Sequence, residues 1–261
     1  MRSVCLIYFS PTGTTRKVLE AIATGIVADD VNHVDLTREV TRATDSIEIK
    51  SDIAIIGTPV YSGRVPLRAI EALQRIKAQN TPAVVVAVYG NRAYDDALLE
   101  LTELAKQCGF KPVAAAAFIG EHSFSTSIAP IAEGRPDRED IKKAENFGKV
   151  IRQKIGKGIA KTVVLQVPGN FPYKARNPSP PPPITDEANC IKCANCVTIC
   201  PAQAVTIRDD TVLTENARCM ACCACVKNCP SGARRVHPKL AERAQTLSTT
   251  CRDRKGPEFF I

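Results

Sequence analysis

In the first two thirds of the chain, short apolar runs alternate with segments of helical periodicity. The runs at residues 4–9, 53–57 and 83–89 are rich in Val, Ile and Ala at consecutive positions, which is typical of strands buried on both faces. Two further strands are predicted at residues 31–36 and 113–119. Strands that alternate with helices favour a doubly wound parallel sheet, because each crossover places a helix against one face of the sheet. The predicted fold class is therefore α/β.

Apolar residues three or four positions apart predict the helices, each with one apolar face directed at the sheet. The apolar stripes are Val18, Ile22 and Ile26; Leu67, Ile70, Leu73 and Ile76; Leu98, Leu101 and Leu104; and Ile141, Phe147 and Ile151. Pro66 stands at the first turn of the second helix, where a proline is tolerated. Gly109 is expected to end the third helix.

Near the C-terminal end, the pattern changes to two runs of regularly spaced cysteines. Each run reads C-x2-C-x2-C-x3-C and is followed by a proline, Pro201 or Pro230. This spacing is typical of two [4Fe–4S] clusters, where three thiolates of a run hold one cluster and the fourth reaches the other cluster. The two predicted ligand sets are Cys190, Cys193, Cys196 and Cys229, and Cys219, Cys222, Cys225 and Cys200.

Zinc sites and disulfide bonds are alternative uses of closely spaced cysteines. Zinc sites use ligands in separated pairs rather than two interlocked triplets, and the spacing is too tight and regular for a disulfide framework. The remaining cysteines are few and scattered: Cys5, Cys108, Cys223 and Cys251. This usage favours a reducing compartment, and no apolar stretch approaches the length that spans a bilayer. We therefore expect a cytoplasmic protein.

The first predicted strand leads directly into a turn rich in hydroxyl groups, and a helix follows the turn. The turn consists of Ser10, Pro11, Thr12, Gly13, Thr14 and Thr15. Hydroxyl and backbone N–H groups at a helix N-terminus bind phosphate, and a glycine permits close approach of the backbone. The turn matches neither the Walker loop nor the G-x-G-x-x-G fingerprint. The alternative interpretation is an ordinary capped turn.

Two further loops follow strands at the carboxyl edge of the predicted sheet, where doubly wound folds bind ligands. The first contains Pro59, Val60, Tyr61, Ser62 and Gly63; the second contains Gly90, Asn91, Arg92, Tyr94 and Asp95. Each offers a tyrosine for ring stacking and glycine for close backbone approach. A single loop tyrosine more often packs against the protein, but two of them beside a phosphate turn favour a bound cofactor.

These motifs resemble known families. The phosphate turn resembles the S/T-x-T-G-x-T pattern of flavodoxins, and residues 90–95 resemble their second flavin loop. For residues 1–165 the resemblance implies a five-stranded parallel sheet of order 2-1-3-4-5, bound FMN, and a second-loop tyrosine stacked on the flavin ring. Residues 186–235 resemble two-cluster bacterial ferredoxins, which are small α+β domains. The whole chain is similar to fused flavodoxin-like/ferredoxin proteins.

The sequence departs from flavodoxins in the charges of the two ring loops. Flavodoxins usually surround the flavin with acidic residues, whereas Arg64 and Arg92 occupy these loops here. A guanidinium beside the ring would stabilise the anionic reduced flavin and raise its potential. Alternatively, either arginine is a solvated charge at the rim. His122, just after the fifth predicted strand, is most simply a hydrogen-bonded edge residue.

We predict four segments along the chain: an FMN domain at residues 1–165, a Pro-rich linker at 166–185, a ferredoxin domain at 186–236 and a tail at 237–261. The prolines of the linker favour an extended strut of limited flexibility. The tail ends in three apolar residues that are costly to leave in water, so we expect it to dock on the body.

The predicted function is electron transfer between two [4Fe–4S] clusters and FMN, as a carrier or adaptor for larger redox enzymes in anaerobic metabolism. Its partners are expected to be redox proteins, a low-potential donor and an acceptor. The formal charge of +8 falls to roughly +2 with these cofactors bound, so nothing requires nucleic acid. The alternative is a flavin oxidoreductase that reduces a small acceptor at the flavin, with the clusters as electron entry. A docking module that lost its flavin is disfavoured by the loops.

Overall fold

The computed structural model describes residues 2–38, 41, 45–157, 165–178 and 180–261. The strands are β1 (Ser3–Tyr8), β2 (Asp30–Asp35), β3 (Ile47–Glu48), β4 (Ile53–Pro59), β5 (Ile76–Lys77), β6 (Thr81–Tyr89), β7 (Phe110–Ile119), β8 (Ile184–Thr185), β9 (Val205–Arg208), β10 (Thr211–Thr214), β11 (Arg234–Arg235) and β12 (Glu258–Phe260). The helices are α1 (Thr14–Ile26), α2 (Leu67–Leu73), α3 (Ala97–Gln107), α4 (Arg138–Gly156), α5 (Asn195–Thr198), α6 (Ala224–Lys227) and α7 (Pro238–Thr250). A 3₁₀ turn covers Glu187–Asn189.

The main sheet has the order β12-β7-β6-β4-β1-β2. Five of its strands are parallel, and they correspond to the five predicted strands in the order 2-1-3-4-5 counted along the chain. This is the flavodoxin-like order of doubly wound folds. The α/β flavodoxin-like fold class is therefore confirmed. The sixth strand, β12, runs antiparallel to β7 and comes from the C-terminal tail.

Two apolar cores lie on opposite faces of this sheet. Successive residues of β1 alternate between them, so Leu6 joins one core and Ile7 the other. Helices α1 and α4 cover the face that contains Leu6, whereas α3 covers the opposite face. Helix α4 begins at Arg138, and Asp137 and Asp140 form a reciprocal capping box at this end. Strands β1, β4 and β6 are almost entirely buried, as their continuous apolar runs predicted, whereas the edge strand β2 is mostly exposed.

The cysteine-rich region consists of two short helices and two small antiparallel pairs, β9 with β10 and β8 with β11. Its two runs share an internal repeat in backbone conformation. Left-handed φ angles occur at equivalent positions of each run, Lys192 and Ala221, Ala194 and Cys223, and Gln203 and Gly232. Both loops therefore fold in the same way around their cysteines.

The predicted linker is not a bare strut along its first part. The predicted boundary at residue 165 follows residues 158–164, which lie outside the described residues. Leu165 and Val167 then pack against the core of the main sheet. Asp96 accepts hydrogen bonds from the backbone N–H groups of Asn170 (2.8 Å) and Lys174 (2.6 Å). This part of the linker is fixed to the sheet domain by buried acceptors that composition did not reveal.

The C-terminal tail packs along the outer side of the main sheet. Residues Glu258–Phe260 pair with β7, and the Phe259 ring lies 4.7 Å from Phe147 and 5.7 Å from Phe118 between centroids. A strand at this position covers the edge of β7 that would otherwise present unpaired backbone groups.

Candidate redox site

The phosphate turn lies between β1 and α1, at the carboxyl edge of the sheet. Gly13 precedes the helix with a φ of 83°, a left-handed conformation that favours glycine. The backbone N–H of Gly13 donates to the Ser10 carbonyl, and the N–H of Arg16 donates to the Ser10 hydroxyl. The first turn of α1 contains no acidic residue. The helix N-terminus therefore presents a local environment that favours an anion.

Two buried hydroxyl groups beside this turn have no partner. The Oγ1 atoms of Thr15 and Thr58 are buried and make no hydrogen bond within the described protein. A buried hydroxyl without a partner is costly, so it favours an acceptor such as phosphate at this position. Thr58 precedes the first predicted ring loop, and Thr15 ends the phosphate turn. The residues present fit a phosphorylated ligand.

The first ring loop, residues 59–63, brings the sheet domain into contact with the cysteine-rich region. The Tyr61 side chain lies near Ser123 of the sheet domain and near Cys222 and Cys223 of the cysteine-rich region. Burial is the main cause that raises the pKa of Tyr61 well above its ordinary value, and the two cysteines add to it. Among the rest of the loop, Pro59 ends β4, Val60 packs against the core, and Ser62 and Gly63 adopt positive φ angles.

The second ring loop, residues 90–95, is engaged by other parts of the chain. The Nδ2 of Asn91 donates to the carbonyls of Cys251 (2.8 Å) and Asp253 (2.9 Å), while its buried Oδ1 has no partner. Gly90 lies directly against the His122 ring, which leaves no space for a side chain. The C-terminal tail and the loop after β7 therefore share the surface of this loop.

The stacking role implied for Tyr94 stays a prediction; in this structure its ring packs against the protein. Tyr94 is only 8% exposed and packs edge-on against Tyr89, with ring centroids 5.3 Å apart. Its hydroxyl donates to a carboxylate oxygen of Glu258 at 2.9 Å. The ring is part of the core because β12 brings Glu258 over the loop, a long-range contact that the local motif does not encode. Tyr61 is thus the tyrosine of the two that lies at the junction with the cysteines.

The two arginines of the ring loops are both paired with carboxylates. Arg64 forms a bidentate ion pair with Glu100 and lies over the Tyr173 ring, 4.8 Å from its centroid. Arg92 pairs with Asp95, which also accepts from the ammonium of Lys174. The guanidinium of Arg64 therefore holds the linker, and its effect on a flavin potential stays a prediction. The charge of Arg92 is largely compensated by Asp95.

The eight cysteines of the two runs line two separate cavities. One cavity is bordered by Cys190, Cys193, Cys196 and Cys229, and the other by Cys200, Cys219, Cys222 and Cys225. Each cavity thus receives three cysteines from one run and the fourth from the other run. Among the described residues, no three His, Cys, Asp or Glu side chains converge closely enough to hold a single metal ion. The sulfurs surround a space instead of meeting at a point.

Hydrogen-bond donors point at several of the cysteine sulfurs. The backbone N–H groups of Ala204, Ala221 and Arg234 donate to Cys200 (3.3 Å), Cys219 (3.4 Å) and Cys229 (3.4 Å). Donors of this kind stabilise a thiolate, which is the form that binds iron. The donor set and the cavities therefore fit iron–sulfur clusters.

Cys223 lies inside the second run and borders the same cavity, but it is outside the predicted ligand set. It is 1% exposed, and its thiol contacts the Ala221 carbonyl at 3.5 Å. Burial raises the pKa of its thiol to about 12, so it remains protonated. The equivalent position of the first run is Ala194, which indicates that the loop requires a small residue rather than a ligand here. Cys5 and Cys108 are buried in the core of the main sheet.

The second half of the cysteine-rich region also packs on the loop that follows β7. The ammonium of Lys227 pairs with Glu121 at 2.5 Å and donates to the carbonyl of Ser125 at 2.7 Å. His122 is enclosed there: burial, Arg243, Lys227 and Arg92 together lower its pKa to about 4. His122 is therefore a neutral packing residue at neutral pH.

Several important residues were not found from the sequence. Asp96, Glu100 and Glu258 act as acceptors for distant segments, and Arg234 lies buried between the two cysteine sets. Isolated charged residues of this kind carry no spacing signal. Only the polar residues inside apolar helix α3, such as Glu100 between leucines, could have indicated a buried ion pair.

A cleft of about 570 Å³ lies beside the second ring loop, between the loop at residues 128–135 and the end of α7. Asn91, Arg252 and Arg254 are among the residues that line it. Arg254 is paired with Asp137 at 2.8 Å. Volumes of this size accommodate small molecules. Of the helices that the structure describes, none is long and apolar enough to cross a membrane.

Comparison with known proteins gives a family match for the cysteine-rich region and structural likenesses for the sheet domain. Residues 182–230 match the family model of the 4Fe-4S dicluster domain, so this region is an iron–sulfur domain and indicates redox electron transfer. The chain is also similar to a flavodoxin from the domain Archaea, at 15% identity over 59% of this chain and 99% of that one, with a TM-score of 0.39.

Two flavodiiron-type structures show a comparable likeness. The rubredoxin oxygen:oxidoreductase of the anaerobe Desulfovibrio gigas is 15% identical over 61% of this chain and 37% of its own, with a TM-score of 0.43. A flavodiiron core from Synechocystis is 24% identical over 60% of this chain and 36% of its own, with a TM-score of 0.41. Comparison with curated proteins gave no match. The strand order described above, rather than these likenesses, defines the fold of the first domain.

Proposed function

We propose that this protein transfers electrons internally between two [4Fe–4S] clusters and an FMN, and exchanges them with an external redox protein. When bound, a cluster exchanges single electrons and FMN exchanges one or two. Ser10, Thr12, Gly13, Thr14 and Thr15 would hold the phosphate of FMN. The buried Thr15 hydroxyl without a partner supports this assignment.

The observation that carries the proposal is the position of Tyr61. It lies on the first ring loop at the carboxyl edge of the sheet, near Cys222 of the second cysteine set. Short separation favours transfer, because tunnelling falls steeply with distance.

The first cysteine set supports the other end of the proposed path. Cys193 is exposed to solvent, and the neighbouring Ile191 is 64% exposed. An external protein could therefore approach the first set directly. The proposed order is external partner, first set, second set, and the flavin loop at Tyr61.

The decisive experiment uses the full chain purified without oxygen. We expect about eight iron and eight sulfide ions per chain together with FMN, since two four-iron clusters are proposed. After flash reduction of the clusters, the flavin absorbance should bleach at a rate independent of protein concentration. A rate proportional to concentration would show transfer between molecules and contradict the internal path.

Substitution of Tyr61 tests the junction. Tyr61→Leu should slow the internal bleaching while iron, sulfide and FMN contents stay unchanged, because the aromatic ring near Cys222 is removed. Tyr173→Leu is the matched control, since Tyr173 lies under Arg64 on the linker. Equal rates in both variants and in the unmodified protein would exclude Tyr61 from the path.

The cleft beside Asn91 favours a second candidate, reduction of a small acceptor at the flavin. Arg252 lines the cleft and would attract an anionic or polar acceptor. This function predicts saturable turnover with a panel of small acceptors, and a raised KM in Arg252→Ala. Linear, unsaturated rates that Arg252→Ala does not change would leave the carrier function as the better description.

A further inference from the structure

Arg234 is a buried arginine at the start of β11, five residues after Cys229. It is 3% exposed. Its Nη1 donates to the Thr185 hydroxyl at 2.7 Å, and its Nη2 donates to the Thr214 hydroxyl at 3.0 Å. These two contacts fix the guanidinium between the small strand pairs of the iron–sulfur domain.

Arg234 contacts both cysteine sets at once. Its Nη2 lies 3.5 Å from the sulfur of Cys225, a member of the second set. Its backbone N–H donates to the sulfur of Cys229, a member of the first set, at 3.4 Å. One residue therefore joins the two sites through different atoms.

The hydrogen bonding of this guanidinium is incomplete. Its Nε is buried and has no partner, and Arg234 is one of the residues that line the cavity of the first set. The partners that it does have are neutral hydroxyls and a cysteine sulfur rather than a carboxylate. Glu187 is near enough to feel its charge but pairs with Lys192. A buried cation with neutral partners is costly unless an anion compensates it.

The internal repeat shows that the cysteine motif does not require an arginine here. Val205 stands five residues after Cys200, as Arg234 stands five residues after Cys229. Val205 lines the cavity of the second set, and Arg234 lines the cavity of the first. Two positions equivalent in the repeat thus carry an apolar residue and a cation. The charge is an addition to the shared scaffold.

We propose that Arg234 is the internal counter-charge of the two iron–sulfur sites and raises their reduction potentials. A cluster with its four thiolates is anionic, and it supplies the negative charge that the neutral partners of Arg234 lack. Reduction adds one electron from an external donor to a site, with no bond made or broken, so the site becomes more negative. A fixed positive charge favours that state, and a polar N–H aimed at the cavity favours it further. Arg234 is a positioning residue, because it acts through the cysteines and the cavity.

The proposal rests on the proposed function only in requiring both clusters, and its test does not involve the flavin. Arg234→Gln removes the charge, and Arg234→Lys keeps it. Arg235→Gln is the matched control, because Arg235 is the next residue of β11, with a side chain 57% exposed and paired with Asp186. The full-length variants, prepared without oxygen, are compared by iron and sulfide content and by redox titration followed by electron paramagnetic resonance.

We expect Arg234→Gln to make the midpoint reduction potential of at least one cluster more negative. The expected shift corresponds to a tenfold change in the ratio of reduced to oxidised cluster. For a one-electron couple this is about 59 mV. Arg234→Lys should shift the midpoint potential less than half as much. Arg235→Gln should shift it by the equivalent of less than a threefold change in the ratio of reduced to oxidised cluster. Equal midpoints in Arg234→Gln and Arg235→Gln would overturn the proposal.

Loss of clusters gives an equally clear result. If Arg234→Gln loses iron whereas Arg234→Lys keeps it, the charge is needed to hold the sites, which supports the proposal. If both Arg234 variants lose iron alike, the guanidinium acts by shape alone and the counter-charge role is wrong. Absence of iron–sulfur clusters from the unmodified protein would instead contradict the proposed function itself.

Discussion

The two cysteine runs share one spacing and one backbone conformation but lie in different surroundings. In the first run, Cys193 is exposed. In the second, Cys222 and Cys225 are each 8% exposed. Burial raises the pKa of Cys222 well above its ordinary value. A repeated motif thus gives two sites of the same chemistry, one that meets solvent and one that meets the rest of the protein.

The difference arises from what packs on each half. The second half contacts the loop after β7 through Lys227 and the first ring loop through Tyr61, whereas such contacts are not found for the exposed loop around Cys193 in the described residues. Helix α7 continues from this half, and its Ala244 packs with Ile131 of the sheet domain. The comparison teaches that two sites with the same cysteine spacing can differ in solvent exposure, because different segments of the chain pack on them.

The largest expected effect separates the two sites directly. Cys222→Ser and Cys193→Ser should each lose about four iron atoms, since each removes one proposed ligand. Cys222→Ser should also abolish internal bleaching of the flavin, because the site beside Tyr61 is lost. Cys193→Ser should retain internal bleaching after flash reduction but slow reduction by an external protein donor. Identical behaviour of the two variants would show that the sites are not arranged in series.

The next effect concerns His122, which is enclosed where the second half of the cysteine-rich region packs on the loop after β7. Its pKa is about 4 in the folded protein and about 6.5 in an unfolded chain, so the unfolded state binds more protons between these values. The stability contributed by neutral His122 is complete above about pH 6.5 and is lost as pH falls toward 4. The loss should reach at most about 3 kcal/mol.

Denaturation at several pH values checks this expectation. His122→Gln should flatten the fall in the free energy of unfolding between pH 6.5 and 4. His33→Gln, on the exposed edge strand β2, is the control for a histidine outside this contact. An unchanged slope in His122→Gln would mean that the second half does not enclose this ring in solution.

A smaller effect is expected at the tail, which follows the second half. Phe259→Ala removes a partly exposed ring stacked on Phe147, so the free energy of unfolding should fall by about 1–2 kcal/mol. Phe171→Ala is the matched control, because Phe171 is 83% exposed and should change stability by less than about 0.5 kcal/mol. Equal effects in urea denaturation would show that β12 does not pair in solution.

The smallest effect compares one ion pair from each half. Lys227→Met removes a partly buried pair and a hydrogen bond to Ser125, which should cost about 1 kcal/mol. Lys192→Met removes the pair with Glu187 on the solvent side and should cost less than Lys227→Met. Lys227→Met should also slow internal transfer. A larger cost for Lys192→Met would reverse the comparison.

Local patterns in the sequence predicted much of this molecule. The buried strands were evident from their runs of Val, Ile and Ala, since both faces of a parallel sheet must be apolar. The grouping of the cysteines follows from spacing, because neighbouring residues in a tight loop can reach only one cavity. The turn at residues 10–15 was recognisable for the same reason: its chemistry is contained in one short segment.

The roles of single loop residues could not be predicted in this way. Tyr94 and Arg64 belong to loops that resemble flavin loops, yet Tyr94 is held by Glu258 and Arg64 by Glu100. Each partner lies far away in the sequence. The contacts of a loop side chain depend on which distant segment of the chain packs beside it. Local secondary-structure propensity contains no information about that.

By itself, the sequence determined the two structural classes, the five parallel strands of the main sheet and the membership of the cysteine sets, because these depend on periodicity and on spacing within short segments. Only the tertiary structure decided that the second half faces Tyr61, that the linker is fixed by Asp96, and that Arg234 lies between the two cavities. The physical reason is that burial and pairing of an isolated charge or ring are set by long-range packing, which has no repeat in the chain.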